Sequence, residues 1–517
     1  MRRTNSSQQT ARAEAENTSG AVHVGQIGLD TEFDIIVVGA GGSGLAAAVS
    51  AAQNGARVLV LEKQARSGGT TGIAVGSFTA AGTSLQASAD INDSVTDHAI
   101  DAGRFAPQEI EAHNNHELRE FFLEHAAETL QWLMGMGLTF HGPVPEPPNR
   151  VPRMHNVVPR AEAYIATLCS QLTRFGGTLR ENADVQSLIQ DADQRVIGVR
   201  VHYNGTLHEV SAVRGVVLAA GDYASAPDLI ARFKGTEYSH VQGINPHARG
   251  DGHRMVEAAG GSLTNMGITY GPELRFVVSK RGSLLTRLPA GSLMNRLSRW
   301  LLPLVPDGLV RAMTKRLLVT WQHPEDSLFD DGAILVNREG LRFCDERQTP
   351  ERELKVAAQP AGDAFLLLNE QLIRKYSAWP CFVSTAPRIA YAYVHDYLRL
   401  RPDVTVKGSL RRVASVHGIP ASALERSAAD AFPEQSEDWV LMGPVRSWFT
   451  TTEGGAAISQ RFEVLDENGE AIRGLYAVGQ TGLGGQILWG HGLHIAWAMT
   501  SGRLAGRHLA SAAAESK

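Results

Sequence analysis

An α/β chain built on a doubly wound, largely parallel sheet is the fold class this sequence predicts, and three features near its start predict it. Ile35 to Val38 form a continuous apolar run, as a parallel strand buried on both faces requires. Gly39, Gly41 and Gly44 then spell G-x-G-x-x-G at the start of an Ala-rich helix that ends near Gly55. ARVLVLE follows as a second strand and closes on Glu62, 18 residues beyond Gly44. In such a motif the first glycine permits the turn, the second lets backbone approach a pyrophosphate, and the third lets helix pack on strand. A carboxylate at Glu62 can accept hydrogen bonds from a ribose diol and would repel a 2′-phosphate. A lone glycine motif is ordinary turn chemistry. Strand, motif, helix, strand and terminal acid together point to a Rossmann-type dinucleotide fold.

Composition sets the outer limits. Lys plus Arg is 49 and Asp plus Glu is 54, a net charge of −5, which excludes nucleic-acid binding by bulk positive charge. Hydrophobic residues at 43% and charged residues at 20% suit large packed cores. Cys169, Cys344 and Cys381 are too widely spaced for a disulfide framework, a zinc knuckle or an iron–sulfur set. No metal site is expected, and a cytoplasmic setting fits. Arg2-Arg3 lacks the apolar stretch of an export signal, so residues 1–29 read as a disordered tail. No run of 18 apolar residues occurs, so no membrane-spanning helix is expected.

A second glycine loop follows Glu62: KQARSGGTTGIAVGS, with Gly68, Gly69, Thr70, Thr71, Gly72 and Gly76. Its amides and hydroxyls suit a long cofactor with a flavin beyond the pyrophosphate, so FAD is expected rather than NAD. From here the chain resembles the succinate dehydrogenase/fumarate reductase flavoprotein superfamily, which includes the 3-ketosteroid dehydrogenases. The blocks that carry the resemblance run in order: ADVQSLIQDADQRVIGVRV, RGVVLAAGDY, ARGDGHRMVEAAGG, FDDGAILVNREGLRFCDE, GSLRRVASVHGIPASALE, TTEGGAAI and GLYAVGQTGLGGQILWGHGLHIAWAMTSGRLAG.

The resemblance implies a split FAD-binding domain, 30–272 and 446–517, with an α+β substrate cap inserted at 273–445. It implies cofactor contacts from Gly39, Gly41, Gly42, Ser43, Gly44, Glu62, Lys63 and the loop Gly68–Gly72 with Gly76. Further contacts are implied for Val185 at the adenine, Ala220, Gly221, Asp251, Thr452, Gly479, Gln480, Gly492, Leu493, His494 and Ile495. Gly69-Thr70-Thr71 stands where some relatives carry a flavin-linked histidine, so the FAD is expected to be non-covalent. No second G-x-G-x-x-G follows a strand, so electrons are expected to pass to or from a diffusible quinone, dye or oxygen.

The family's usual catalytic residues are absent. The cations of the fumarate-reducing relatives fall on Pro350, Thr451 and Trp489, and the tyrosines of the ketosteroid dehydrogenases fall on Pro350 and Leu488. Gly492 matches the latter family's ketone-polarising backbone group. What remains for proton transfer is His491 and His494, near the start of a helix that by resemblance faces the flavin's pyrimidine edge. They read equally as packing histidines, or His494 as a flavin contact alone. In RIAYAYVHDY, Tyr391/His395 and Tyr393/Tyr397 are four apart and would share faces of a helix, with Tyr391 the second candidate for the proton; an amphipathic core helix explains the run as well. Trp448 and Trp489 suit a hydrophobic ring substrate or simple packing. Residues 274–318 hold nine basic residues and one acid, Asp307, among Leu, Val, Met and Trp. That composition fits either a peripheral membrane contact through 283–320, on the inner face of the membrane, or a solvated cap insertion.

The expected activity is a dehydrogenation or reduction of a carbon–carbon bond beside a carbonyl in a hydrophobic alicyclic or steroid-like substrate. The alternatives are an enoate or dicarboxylate reductase, and a catalytically silent flavin-binding protein.

Overall fold

A computed structural model describes residues 31–277, 315–316, 319, 323–386, 390–434 and 436–511. Strand β1 (Glu32–Val38) lies inside an eight-stranded sheet and is buried from Ile35 to Val38. It runs parallel to β2 (Val58–Leu61), with Ile35 opposite Val58 and Val38 opposite Leu61. On its other side it runs parallel to the strand Thr206–Leu218. Helix α1 (Gly42–Gln53) makes the crossover and is buried from Gly42 to Ala52. The chain leaves this sheet after Leu218 and returns to it at Glu463–Leu465 and Ala471–Ala477, the latter pairing with the same 206–218 strand. The Rossmann-type domain is therefore split in sequence.

The return ends in the helix Leu493–Ser511, packed along α1. Both helices are small-faced here. A Cβ on Gly502 would stand 2.2 Å from the Ser43 carbonyl oxygen, and one on Gly506 would stand 2.1 Å from that of Ala47. The backbones approach so closely that only glycine fits at either place.

A second, six-stranded sheet is organised on the strand Trp439–Phe449. Glu273–Phe276, Ala364–Leu368 and Thr405–Gly408 all pair with it antiparallel, and Gln242–Gly243 pairs parallel. Leu335, Leu366, Leu367, Val440, Leu441 and Met442, none of them exposed, form the heart of its own core. The helical hairpin Leu410–His417 and Ala421–Ala431 covers it, with Gly418 left-handed at the turn (φ +68°). The division expected at 445/446 falls inside the strand Trp439–Phe449, and the one at 272/273 falls directly before a strand paired to it.

The helix expected through Tyr391 is corrected. Ala390–Ala392 is a strand paired with Ser384–Ala386, and the helix is Val394–Leu400, with Tyr393 at its N-cap. Tyr391 and His395 therefore share no helix face, nor do Tyr393 and Tyr397 lie within one helix. Tyr397 is buried, its hydroxyl 2.8 Å from that of Ser384. The tail 1–29 and the basic segment 283–320, apart from 315, 316 and 319, lie outside the described residues. Among the described residues no helix is long and apolar enough to cross a membrane.

Candidate active site

Two glycine loops form a cradle at the carboxyl ends of β1 and β2. Gly39 turns with φ +104°, and a Cβ on it would strike the Ala219 carbonyl oxygen at 2.4 Å. A Cβ on Gly44 would come to 2.0 Å from the Gly39 oxygen, so helix and strand touch there. At Gly41 and Gly68 the nearest protein atom to such a Cβ is 3.9 Å away, and at Gly221 none lies within 4 Å. These positions open onto a channel walled by backbone. The Gly68 amide donates to the Ala40 oxygen at 3.0 Å and ties the loops together. Asn245 Nδ2 donates to Thr70 Oγ1 at 2.9 Å.

Glu62 sits at the channel's end, nearly buried. Its Oε2 accepts from the Ala40 amide and its Oε1 from the Gln64 amide, each at 2.8 Å. Lys63 Nζ lies 3.1 Å from Asp251 and 3.5 Å from Asp184. Burial opposes its charge, but the two carboxylates outweigh burial and hold the ammonium above the usual lysine value. Val185 follows Asp184 in the adjoining strand. Gly479 closes the other side, where a Cβ would meet Ser43 Oγ at 2.4 Å.

Beyond the cradle, where the two sheets meet, Glu146, Glu273, Arg275, His323 and His491 gather beside Tyr270 and Trp489, and this cluster marks the candidate recess. Tyr270 and Trp489 form one wall, with ring centres 5.2 Å apart. Tyr270 pairs with Thr451, and Glu273 and Arg275 follow on one face of the next strand, because alternate strand residues point the same way. Arg275 donates to Glu273 Oε2 at 2.7 Å and to Thr450 Oγ1 at 3.2 Å. Burial resists ionisation of Glu273, yet the Arg275 guanidinium prevails and keeps its carboxyl below the ordinary glutamate range. His323 faces the same pair, its pKa lowered by burial.

His491 precedes the closing helix and its side chain is 63% exposed, opening to the recess. Its backbone amide donates to Glu146 Oε1 at 2.9 Å, and its ring Nδ1 meets the same oxygen. That hydrogen bond raises the imidazole pKa above the ordinary histidine value. Gly492 (φ +86°) follows, where a Cβ would meet Thr79 Oγ1 at 2.7 Å.

A family model described as an FAD binding domain matches residues 34–490. The chain belongs to the FAD binding domain family. A fumarate reductase (cytochrome) of Shewanella frigidimarina is 26% identical over 506 residues, 92% of this chain and 77% of that one. A vinyl phenol reductase of Lactiplantibacillus plantarum is 25% identical over 512 residues, 92% of this chain and 96% of that one. The open conformation of a flavocytochrome c3 fumarate reductase superposes with a TM-score of 0.70 at 24% identity, covering 93% of this chain and 78% of that one. A 3-ketosteroid delta1-dehydrogenase from Sterolibacterium denitrificans has a TM-score of 0.62 at 18% identity, covering 93% and 100%.

As a member of the FAD binding domain family, the protein is an FAD-dependent oxidoreductase of the succinate dehydrogenase/fumarate reductase superfamily. The cradle fits that cofactor. At Gly41, Gly68 and Gly221 no side chain would stand between the backbone and a bound pyrophosphate, and Glu62 would be the acceptor for a ribose diol. Thr452 Oγ1 is buried without a partner among the described residues.

His494 does not join His491. It turns into a buried chain that the sequence reading missed. Thr451 Oγ1 donates to Asp222 at 2.8 Å and accepts from Gln480 Nε2 at 2.7 Å. Gln480 Nε2 also donates to the Thr452 oxygen, so Gln480 Oε1 is the acceptor for His494 Nδ1 at 3.0 Å. His494 Nε2 lies 3.0 Å from Glu453 Oε1, out of line for a hydrogen bond. Burial raises the Asp222 carboxyl.

Tyr391 stands elsewhere. Its ring packs on Trp379 at 5.0 Å and Phe382 at 4.9 Å, and among the described residues no hydrogen bond or ring contact joins it to the recess. Pro350 caps the helix Glu351–Ala357, and Leu488 is fully buried, its amide donating to Glu453 at 3.1 Å. Glu146, Glu273, Asp222 and Glu453 were also unanticipated. For Glu273 and Arg275 the two-residue strand period was the available signal.

Proposed function

We propose that the protein transfers a hydride at a carbon–carbon bond conjugated to a carbonyl or comparable withdrawing group, in a neutral ring-bearing substrate. The observation that carries this reading is the charge of the recess. Two carboxylates, Glu146 and Glu273, face it, and Arg275, the cation beside them, is already engaged by Glu273. Glu146 likewise engages His491, so an incoming dicarboxylate would have to displace Glu146 or Glu273 from its cation, and burying an unpaired anion costs several kcal/mol. The wall of Tyr270 and Trp489 instead suits a flat, uncharged ring.

FAD, when bound, supplies two-electron hydride chemistry at one carbon. His491 handles the proton at the neighbouring carbon, being open to the recess and held by Glu146. Gly492 supplies the backbone group beside the carbonyl. The cofactor is held without a covalent bond, since Gly69-Thr70-Thr71 offers no nitrogen nucleophile. Electrons are exchanged with a diffusible partner such as a quinone, a dye or oxygen. The relative named a vinyl phenol reductase supports the neutral-substrate reading, because the phenol in that name is uncharged.

A second reading, reduction of an enoate or dicarboxylate, is favoured by the likeness to a fumarate reductase over 92% of the chain. It is also favoured by Arg446, which is the register partner of Arg275. Anaerobic reoxidation of the reduced protein separates the two. Cyclic enones should restore the oxidised flavin spectrum quickly and fumarate slowly. Comparable rates with fumarate would overturn the neutral-substrate reading.

A further inference from the structure

We propose that Glu146 is the positioning residue that makes His491 a proton donor, by fixing which ring nitrogen faces the substrate and by holding the ring's second proton. The inference rests on the reading of His491 as the proton-handling group. One oxygen, Glu146 Oε1, receives both the backbone amide of His491 and its ring Nδ1, so the imidazole is anchored at two points of one residue. The carboxylate side chain is only 10% exposed and its Oε2 has no partner among the described residues, so the carboxylate is held in place while the imidazole it grips is 63% exposed. An ionised carboxylate only accepts, so Nδ1 carries a proton and Nε2 is the nitrogen left toward the recess.

The proton balance follows from that orientation. One substrate carbon would take the hydride that bound FAD supplies, and the π pair moves to its neighbour, where it forms the new C–H bond with the proton given by Nε2–H of the imidazolium. The ring is left neutral with Nδ1–H still on Glu146, and water restores the Nε2 proton. Glu146 accepts the Nδ1 hydrogen bond and touches no reacting atom. The other charged groups facing His491 are Glu273, which favours the imidazolium, and Arg275 and His323, which oppose it. Glu273 and Arg275 largely cancel through their own bond. Glu146 therefore sets the balance.

The test uses the full-length flavin-loaded protein with ring-labelled histidine, following His491 by NMR and the rate of flavin reoxidation by a cyclic enone against pH. In Glu146→Gln the His491 titration should fall by about one pH unit or more, since a nearby opposite charge is worth about one to three. The high-pH limb of the rate profile should move down with it, while KM holds. Glu146→Ala should lower the titration likewise and serves if the Gln variant fails to fold, whereas Glu146→Asp should keep it raised. An unmoved His491 titration in Glu146→Gln or Glu146→Ala would overturn the proposal. A lowered titration with an unchanged rate profile would leave Glu146 as the anchor of the ring and refute its catalytic consequence, placing the failure in the reading of His491.

Discussion

Glu62 holds two backbone amides 24 residues of chain apart from its own loop's far side, Ala40 and Gln64, with one carboxylate. An amide in its place keeps one acceptor and loses the charge. Glu62→Gln should therefore weaken FAD binding by about 10- to 100-fold, the equivalent of the roughly 1.5–3 kcal/mol carried by a hydrogen bond to a charged group. Titration of the apoprotein with FAD, followed by fluorescence quenching, reads this directly, and an unchanged Kd would remove Glu62 from the site. His491→Ala should slow substrate reduction by about 10²-fold or more while FAD stays bound. The wild-type rate should decline as pH rises through the raised His491 value, because the group is a donor only while protonated. At this scale the cradle is legible in sequence because its parts are local, Gly39 to Gly44 and then Glu62. The recess is not, because His491 and Glu146 are 345 positions apart and meet only when two loops pack. Asp222 and Glu453 escape for the same reason, being short acidic interruptions in glycine-rich runs.

Helix α1 and the helix Leu493–Ser511 share a contact made by absence of side chains. Gly506→Ala would place a methyl 2.1 Å from the Ala47 oxygen, so the helices must separate. Overpacking of this kind typically costs about 1–3 kcal/mol. A lowered Tm in thermal unfolding, with weakened FAD affinity because α1 carries the glycine turn, is the expected result. A Tm equal to wild type would show that the helices part freely. The apolar run, the glycine spacing and the alanine-rich stretch make β1, α1 and β2 readable, since each element there obeys its own period. AYAYVHDY is the opposite case. Its apolar residues fit a strand's alternation and a helix's four-residue spacing alike, and pairing with Ser384–Ala386 decides for the strand up to Ala392.

Over the whole molecule, acid stability should depend on a buried charge network. Arg153, Asp93 and Asp101 are almost wholly buried and joined at 2.5–2.7 Å. Burial opposes ionisation of both aspartates, but hydrogen bonds led by Arg153 for Asp93 and by Arg150 with Arg153 for Asp101 depress both pKa values. Their contribution is complete above the unfolded aspartate value of about 4 and is lost as pH falls through the lower folded values. Tm should therefore drop steeply below about pH 4. Arg153→Met should cost about 3–5 kcal/mol at neutral pH by leaving Asp93 without its guanidinium, while Asp101 keeps Arg150 and Arg104, and should flatten that acid limb. Equal Tm–pH slopes in the two proteins would place the acid sensitivity elsewhere.

The strand Trp439–Phe449 has a consequence for how such proteins can be recombined. It is the spine of the second sheet, yet Thr451 and Thr452, two and three residues past its end, already pair beside the cradle with Tyr270 and Thr269. A swap of the inserted unit cut at 272/273 and 445/446 would sever this ladder in mid-rung and leave half a strand on each parent. Joints at Gly271 and Thr450 move the whole spine as one piece. A graft respecting those seams keeps the ladder whole and carries Glu273, Arg275 and His323 with it, while Tyr270, Trp489, His491 and Glu146 stay with the recipient.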